Sequence, residues 1–237
     1  MGVDSGLGDL RPALLFDLDG TLVDSVYQHV LAWHRALETA GIDLSIWRIH
    51  RRIGMSGGLF ANALLREVRR DGSSLDSGEV ARLRELHRGY YAEVIGRVRA
   101  LPGARDLLLR LDHEQVPWAI ATSGNRDGAE TVVRLLDVVP KVLVTRDEVP
   151  FAKPDPHLFL AAAHQLGVDI TQSIVVGDSI WDMLAAQRAR ALGVGLLSGG
   201  YGAEELERAG AFRVYQDPAD LLAHIDELGI RMTALSG

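Results

Sequence analysis

The sequence predicts an α/β protein: a parallel sheet with helices on both faces, and an all-helical insertion between its first strand and the rest. Three observations predict it. A short apolar run, Ala13-Leu14-Leu15-Phe16, ends abruptly at Asp17. Residues 25–99 carry helical periodicity without a convincing strand. From Pro102 onward, short apolar runs alternate with helical patterns.

Taken in order, residues 13–16 have the unbroken apolar character of a strand buried on both faces. In the insertion, Val26, Val30, Trp33 and Leu37 recur at the spacing of one helix face. Leu59, Ala63 and Leu64 repeat that spacing, and so do Leu83 and Leu86. Between them, Gly54-Met55-Ser56-Gly57-Gly58 and Asp71-Gly72-Ser73-Ser74 have loop compositions. Pro102-Gly103 opens a helix over 104–111. Strands then follow at 118–121, 142–144, 174–176, 194–197 and 212–215. Helices are expected at 129–136, 156–166, 182–191, 203–209 and 219–228. The first strand precedes the helical stretch and the others follow it. The expected division is therefore an α/β core of 12–24 plus 100–237, a helical segment of 25–99, and a flexible leader of 1–11.

Composition narrows the function classes. A chain of 237 residues with 47% hydrophobic and 24% charged residues can bury a full core. Its net charge of -7 disfavours a nucleic-acid partner. With no cysteine, disulfides, thiolate metal sites and a cysteine nucleophile are excluded. No apolar run approaches the ~20 residues of a membrane span, and the N-terminal stretch lacks a secretory signal's apolar segment. The expectation is a cytoplasmic protein with no membrane partner, as a monomer or a homodimer.

Ligands in open parallel sheets bind outside the carboxyl ends of the strands. Three strand ends here deliver polar residues: Asp17 to Asp19, Thr122-Ser123, and Gly177-Asp178. The sharpest run is Asp17-Leu18-Asp19-Gly20-Thr21-Leu22-Val23-Asp24-Ser25. Two carboxylates two residues apart meet one ligand only if the chain turns, and Gly20 eases a turn. One can attack phosphorus while the other manages a proton. The same run also reads as an acidic loop with Asp24 or Ser25 capping the next helix.

This run closely resembles the first motif of the haloacid dehalogenase-like superfamily, Asp-x-Asp-Gly-Thr-Leu-x-Asp-Ser. Three further motifs resemble the family's in the same order: Ile120-Ala121-Thr122-Ser123, Ala152-Lys153-Pro154-Asp155-Pro156, and Val175-Val176-Gly177-Asp178-Ser179-Ile180-Trp181-Asp182. The helical insertion falls where the family's all-helical caps fall. The resemblance implies a Rossmann-like core with a helical cap and a Mg2+-dependent phosphatase acting on a small phosphorylated metabolite through an aspartyl-phosphate. Asp17 is then the nucleophile, and Asp19 the acid and base. Lys153 bridges Asp17 and phosphate, and Thr122 donates to the phosphoryl group. The metal falls to Asp17, the Asp19 carbonyl and Asp178, with Asp182 orienting metal waters or Lys153. Gly20, Thr21, Ser123 and Asn125 complete the phosphate site.

In the cap, Arg51 or Arg52 reads either as a fork for a distal anion or as a solvated cation. His29 reads either as site-facing or as a buried, satisfied ring, and Trp33 as core. Within the superfamily, the chain looks like phosphoglycolate phosphatase and its beta-phosphoglucomutase-like relatives. Against the mutase branch, Ile53 and Gly57 stand where that branch shows a Lys and an Arg, and Gly177 stands where it shows a Glu. Asp19 disfavours dehalogenation, and residues 25–99 contain no Lys for phosphonate cleavage. A phosphoryl transferase and a catalytically silent phosphate-binding regulator are the alternative readings.

Overall fold

The computed structural model describes residues 12–68 and 77–230. The expected leader and the loop Asp71-Gly72-Ser73-Ser74 lie outside the described residues. In chain order the elements are β1 (Leu14–Phe16), β2 (Val23–Asp24), α1 (Val26–Thr39), α2 (Ile46–His50), α3 (Gly57–Val68), α4 (Ser77–Val94), β3 (Arg99–Ala100), α5 (Ala104–His113) and β4 (Trp118–Ala121). They continue with α6 (Arg126–Val133), β5 (Leu143–Val144), α7 (His157–Leu166), β6 (Ile174–Gly177), α8 (Ile180–Ala189), β7 (Leu192–Leu196), α9 (Ala203–Arg208), β8 (Ala211–Tyr215) and α10 (Pro218–Ala223).

Six strands form one parallel sheet in the order β5-β4-β1-β6-β7-β8. Side chains along a strand alternate between faces, and β1 divides its three between two cores. Leu14 and Phe16 join Leu107, Leu108, Val132 and Leu221 on one side. Leu15 joins Phe159, Ala162 and Ala185 on the other. Each such fully buried side chain contributes about 1.5–3 kcal/mol, which holds β1 at the centre of the sheet. From β1 the chain moves outward through β4 and β5, then returns to β6 on the opposite side of β1. The reversal opens a crevice at the carboxyl ends of β1, β4 and β6.

The helices α1 to α4 have their own apolar cluster, built on the expected stripe of Val26, Val30, Trp33 and Leu37 with Ile49, Phe60, Leu64 and Leu83. One difference from the sequence expectation lies at its root. The chain leaves and re-enters the α/β part through a two-stranded antiparallel ribbon, Val23 opposite Ala100 and Asp24 opposite Arg99. The expectation of no strand within 25–99 is thus corrected at its last residue. A two-residue strand shows no periodicity to detect. The ribbon forms because both linkers cross the same edge and pair their otherwise open backbone groups.

Candidate active site

Asp17 follows β1 directly, and its amide donates to the Val176 carbonyl at 2.9 Å. Its carboxylate is buried against the Lys153 ammonium, which also meets Asp182 Oδ1 at 2.8 Å. Lys153 is fully buried and lies on the loop between β5 and α7. Burial opposes its charge, but Asp17 and Asp182 outweigh that and raise its pKa. Asp182 is fixed by two donors: the Ser179 hydroxyl at 2.6 Å and the Ser179 amide at 3.2 Å, both to Oδ2. The sequence reading of a helix from 182 is moved two residues earlier, because Ser179 and Asp182 form a capping box at the start of α8. Asp182 therefore caps the helix with one oxygen and orients Lys153 with the other.

Asp178 ends its approach in a cradle of glycines. Thr21 Oγ1 donates to its Oδ1 at 3.0 Å. A Cβ on Gly20 would lie 2.6 Å from its Oδ2, and a Cβ on Gly199 would collide with it outright. Gly20 also has φ +86°, a left-handed conformation that favours glycine. A side chain at Gly177 would collide with Asp182, so a Glu there is incompatible with the Lys153–Asp182 contact.

Carboxylate oxygens of Asp17, Asp178 and Asp182 lie within 4.8 Å of one another. Burial, the Asp182 charge and the Asp17 charge push the Asp178 carboxyl well above the usual range. Burial pushes Asp17 up to about 7; Lys153 opposes the rise, and Asp182 and Asp19 add to it. Three buried carboxylates facing one ammonium carry more negative charge than they neutralise. That excess, on hard oxygen donors, fits a divalent cation such as Mg2+. Since Asp182 is committed to Ser179 and Lys153, Asp17 and Asp178 are the side chains with capacity to hold it.

Asp19 is only partly buried. Ser25 Oγ donates to its Oδ1 at 2.6 Å, and His29 Nε2 approaches the same oxygen at 3.3 Å. Burial works against its ionisation, but His29 and the hydrogen bonds from His29 and Ser25 prevail and lower its pKa. Both contacts fall on one oxygen, Oδ1.

The remaining expected residues are distributed as follows. Thr122, at the end of β4, is buried, and its hydroxyl accepts from the Gly124 amide at 3.0 Å. Ser123 Oγ donates to the Gly54 carbonyl of the helical segment at 3.1 Å. Asn125 caps α6, its oxygen accepting from the Gly128 amide. Arg52 Nη1 donates to the Arg48 carbonyl. Arg51 turns away to Glu205 on α9. His29 meets Asp19 and also stacks on Tyr91, with ring centroids 3.9 Å apart. Four contributors escaped the sequence reading: Ser25, Ser179, Gly199 and Ser198, whose hydroxyl donates to the Gly20 carbonyl at 2.6 Å. For Ser198 and Gly199 the available signal was Ser198-Gly199-Gly200 at the end of a further parallel strand; Ser25 and Ser179 stood inside the first and fourth motifs.

A family model described as haloacid dehalogenase-like hydrolase matches residues 12–190. The chain belongs to the haloacid dehalogenase-like hydrolase family. Validoxylamine A 7'-phosphate phosphatase from Streptomyces hygroscopicus subsp. limoneus is 35% identical over 189 residues, 77% of this chain and 84% of that protein. Phosphoglycolate phosphatase from Rhodospirillum rubrum is 30% identical over 217 residues, 88% of each chain. The crystal structure of a hydrolase from Pseudomonas syringae is 53% identical, with a TM-score of 0.88, and the match covers 92% of this chain and 99% of that one. In this haloacid dehalogenase-like hydrolase, the match spans β1, the helical segment, the strand ends that carry Asp17, Thr122 and Asp178, the loop that carries Lys153 and the first turn of α8 with Asp182.

Proposed function

We propose that this protein is a Mg2+-dependent phosphatase that hydrolyses a small phosphorylated metabolite through an aspartyl-phosphate on Asp17. The observation that carries the reading is the buried cluster in which Lys153 touches both Asp17 and Asp182 beside Asp178. Relatives aligned over most of the chain are phosphatases, which supports a phosphoric monoester hydrolase.

Asp17 attacks phosphorus through a carboxylate oxygen, and the bond from phosphorus to the ester oxygen breaks. Asp19 delivers a proton to the departing oxygen. The resulting carboxylate then takes a proton from water, which attacks phosphorus, releases inorganic phosphate and restores Asp17. Lys153 holds Asp17 in place and meets a phosphoryl oxygen with positive charge, and Thr122 and Ser123 donate to the other oxygens. Mg2+ held by Asp17, Asp178 and the Asp19 carbonyl would neutralise phosphate charge that otherwise repels the nucleophile. The helical segment acts as a cap that excludes water and selects the substrate. Among the described residues no helix is long and apolar enough to cross a membrane, and we place the enzyme's action in the cytoplasm.

Turnover of 4-nitrophenyl phosphate with and without Mg2+ tests the reading. Asp17→Asn should abolish Mg2+-dependent turnover while the fold is kept. On phenyl phosphate, whose leaving oxygen needs a proton, Asp19→Asn should lose about 10²–10⁴-fold, the usual contribution of a general acid–base group. Retained turnover in Asp17→Asn would sink the mechanism, and a panel of phosphorylated metabolites then identifies the substrate.

A further inference from the structure

His29 does not end the chain of contacts that begins at Asp19. Its Nδ1 lies 3.2 Å from Nε2 of His87, on α4. The His87 ring is held by stacking: 4.2 Å from Trp33 with planes 17° apart, and 5.3 Å from His29 with planes 20° apart. Tyr91, one helical turn on, backs the His29 ring almost in parallel, with planes 5° apart. Two aromatic rings of the helical segment, Trp33 and Tyr91, thus fix a histidine pair that ends on one oxygen of Asp19.

Hydrogen-bond inventory decides the direction of the pair. An ionised Asp19 is acceptor only, so His29 must donate from Nε2. In the singly protonated form of His29, Nδ1 then carries no proton and accepts. His87 Nε2 is the donor within reach. Were His29 in its other tautomer, its Nε2 lone pair would face the Asp19 carboxylate and turn attraction into repulsion. Burial, the largest cause, holds His87 well below the usual imidazole range, so it stays neutral and keeps one donor to give.

We propose that His87 is a positioning residue: by donating from Nε2 to His29 Nδ1, it fixes the His29 tautomer that holds Asp19 Oδ1 and so aims Asp19 Oδ2 at the leaving oxygen. The proposal deepens the phosphatase reading and rests on it for the role of Asp19. His87 itself touches no reacting atom. It enters the reaction through two hydrogen bonds, and without it His29 is no longer held in the tautomer that donates to Asp19, leaving Ser25 as the constant donor.

The test compares His87→Phe, which keeps the stack on Trp33 but cannot donate, with His87→Gln, whose amide can. Two probes differ in their need for the acid. The 4-nitrophenolate of 4-nitrophenyl phosphate departs without a proton, whereas phenyl phosphate needs one. The readout is kcat/KM, which covers the step in which the ester oxygen leaves. His87→Phe should lower kcat/KM for phenyl phosphate by about tenfold, a part of the 10²–10⁴ a general acid contributes, and barely change that for 4-nitrophenyl phosphate. His87→Gln should restore the parent ratio. An equal loss on both probes, or an unchanged ratio in His87→Phe, overturns the proposal, because a purely structural role lowers both alike. If His87→Phe does not fold, His87→Met is read in its place. A second arm is independent of turnover. In ¹⁵N-histidine spectra, with His29→Asn as the assignment control, His29 should be protonated at Nε2 in the parent and redistribute between tautomers in His87→Phe. An unchanged tautomer overturns the proposal even if the protein hydrolyses no phosphate ester, whereas failure of the parent on both aryl phosphates with Mg2+ counts against the phosphatase reading alone.

Discussion

Asp17 sits where burial and charge pull its ionisation in opposite directions. Its ordinary carboxyl pKa of 3.8 is pushed to about 7 by burial, with Asp182 and Asp19 adding to a rise that Lys153 only partly offsets. The consequence for stability has a definite sign. Between pH 4 and 7 the unfolded chain has released the Asp17 proton while the native state retains it, so the native state binds more protons and stability falls as pH rises. Asp178, raised for the same reasons, acts in the same direction. In EDTA, the melting temperature should therefore fall as pH increases from about 4 through 7. A cation held by the ionised carboxylates removes that penalty, so added Mg2+ should raise the melting temperature more at pH 8 than at pH 5. Thermal melts across that range check both statements. A pH-independent Mg2+ effect would show that Asp17 and Asp178 are already ionised without the metal.

At the scale of elements, the strand ends do the positioning, and much of that was legible beforehand. The run Ala13 to Phe16 carries no polar residue until Asp17, and β4 and β6 stop in the same way at Thr122 and Asp178. An apolar run broken by a polar residue marks where a buried strand emerges, so three sides of the site could be read from pattern alone. Lys153 could not be read that way. Its burial depends on the loop between β5 and α7 folding back over β1 and β6, and only the resemblance to a family motif singled it out. His87 was hidden for another reason: it reaches Asp19 only through His29, by contacts with no fixed spacing in the sequence, whereas Ser25 stood in the first motif and was read only as a helix cap. The glycines at strand ends carry a prediction of their own. Gly199 follows β7, and a Cβ there would collide with the Asp178 carboxylate. Gly199→Ala should displace Asp178 without disturbing the sheet. The Mg2+ concentration for half-maximal turnover should rise by about 10–100-fold, the usual cost of disturbing a ligand's support. A metal titration of the purified variant measures it, and an unchanged midpoint would mean that Asp178 does not hold the metal.

At the scale of the whole molecule, the helical segment and the α/β part are joined on two sides of the site besides the Ser123–Gly54 and His29–Asp19 contacts. On one side the ribbon of β2 and β3 ties the linkers together. On the other, a cluster of contacts joins α2 to the chain after β7. His50 Nε2 lies 2.8 Å from the Gly199 carbonyl, and the Tyr201 hydroxyl donates to the Arg51 carbonyl at 2.7 Å. Arg51 forks onto Glu205 at 2.5 and 3.2 Å, with its guanidinium 4.1 Å from the Tyr201 ring centroid. Under the proposed reading of the helical segment as a cap, the covalently anchored ribbon is its hinge. On the same reading the cluster, held by non-covalent contacts, is the side that opens and its latch. Arg51 and Glu205 are both partly exposed, so their pair is worth no more than about 1 kcal/mol, or roughly fivefold in the closing equilibrium. Glu205→Gln should therefore leave the melting temperature almost unchanged while raising KM for 4-nitrophenyl phosphate by about two- to fivefold, with the catalytic residues intact. Because the pair is exposed, rising salt should raise the parent's KM towards that of the variant and leave the variant's own nearly flat. Steady-state kinetics at low and high ionic strength separate this from a direct role of Arg51 in substrate binding. If Arg51 contacts the substrate, Arg51→Ala will raise KM far beyond Glu205→Gln; if it serves the latch, the two variants and their double mutant will coincide.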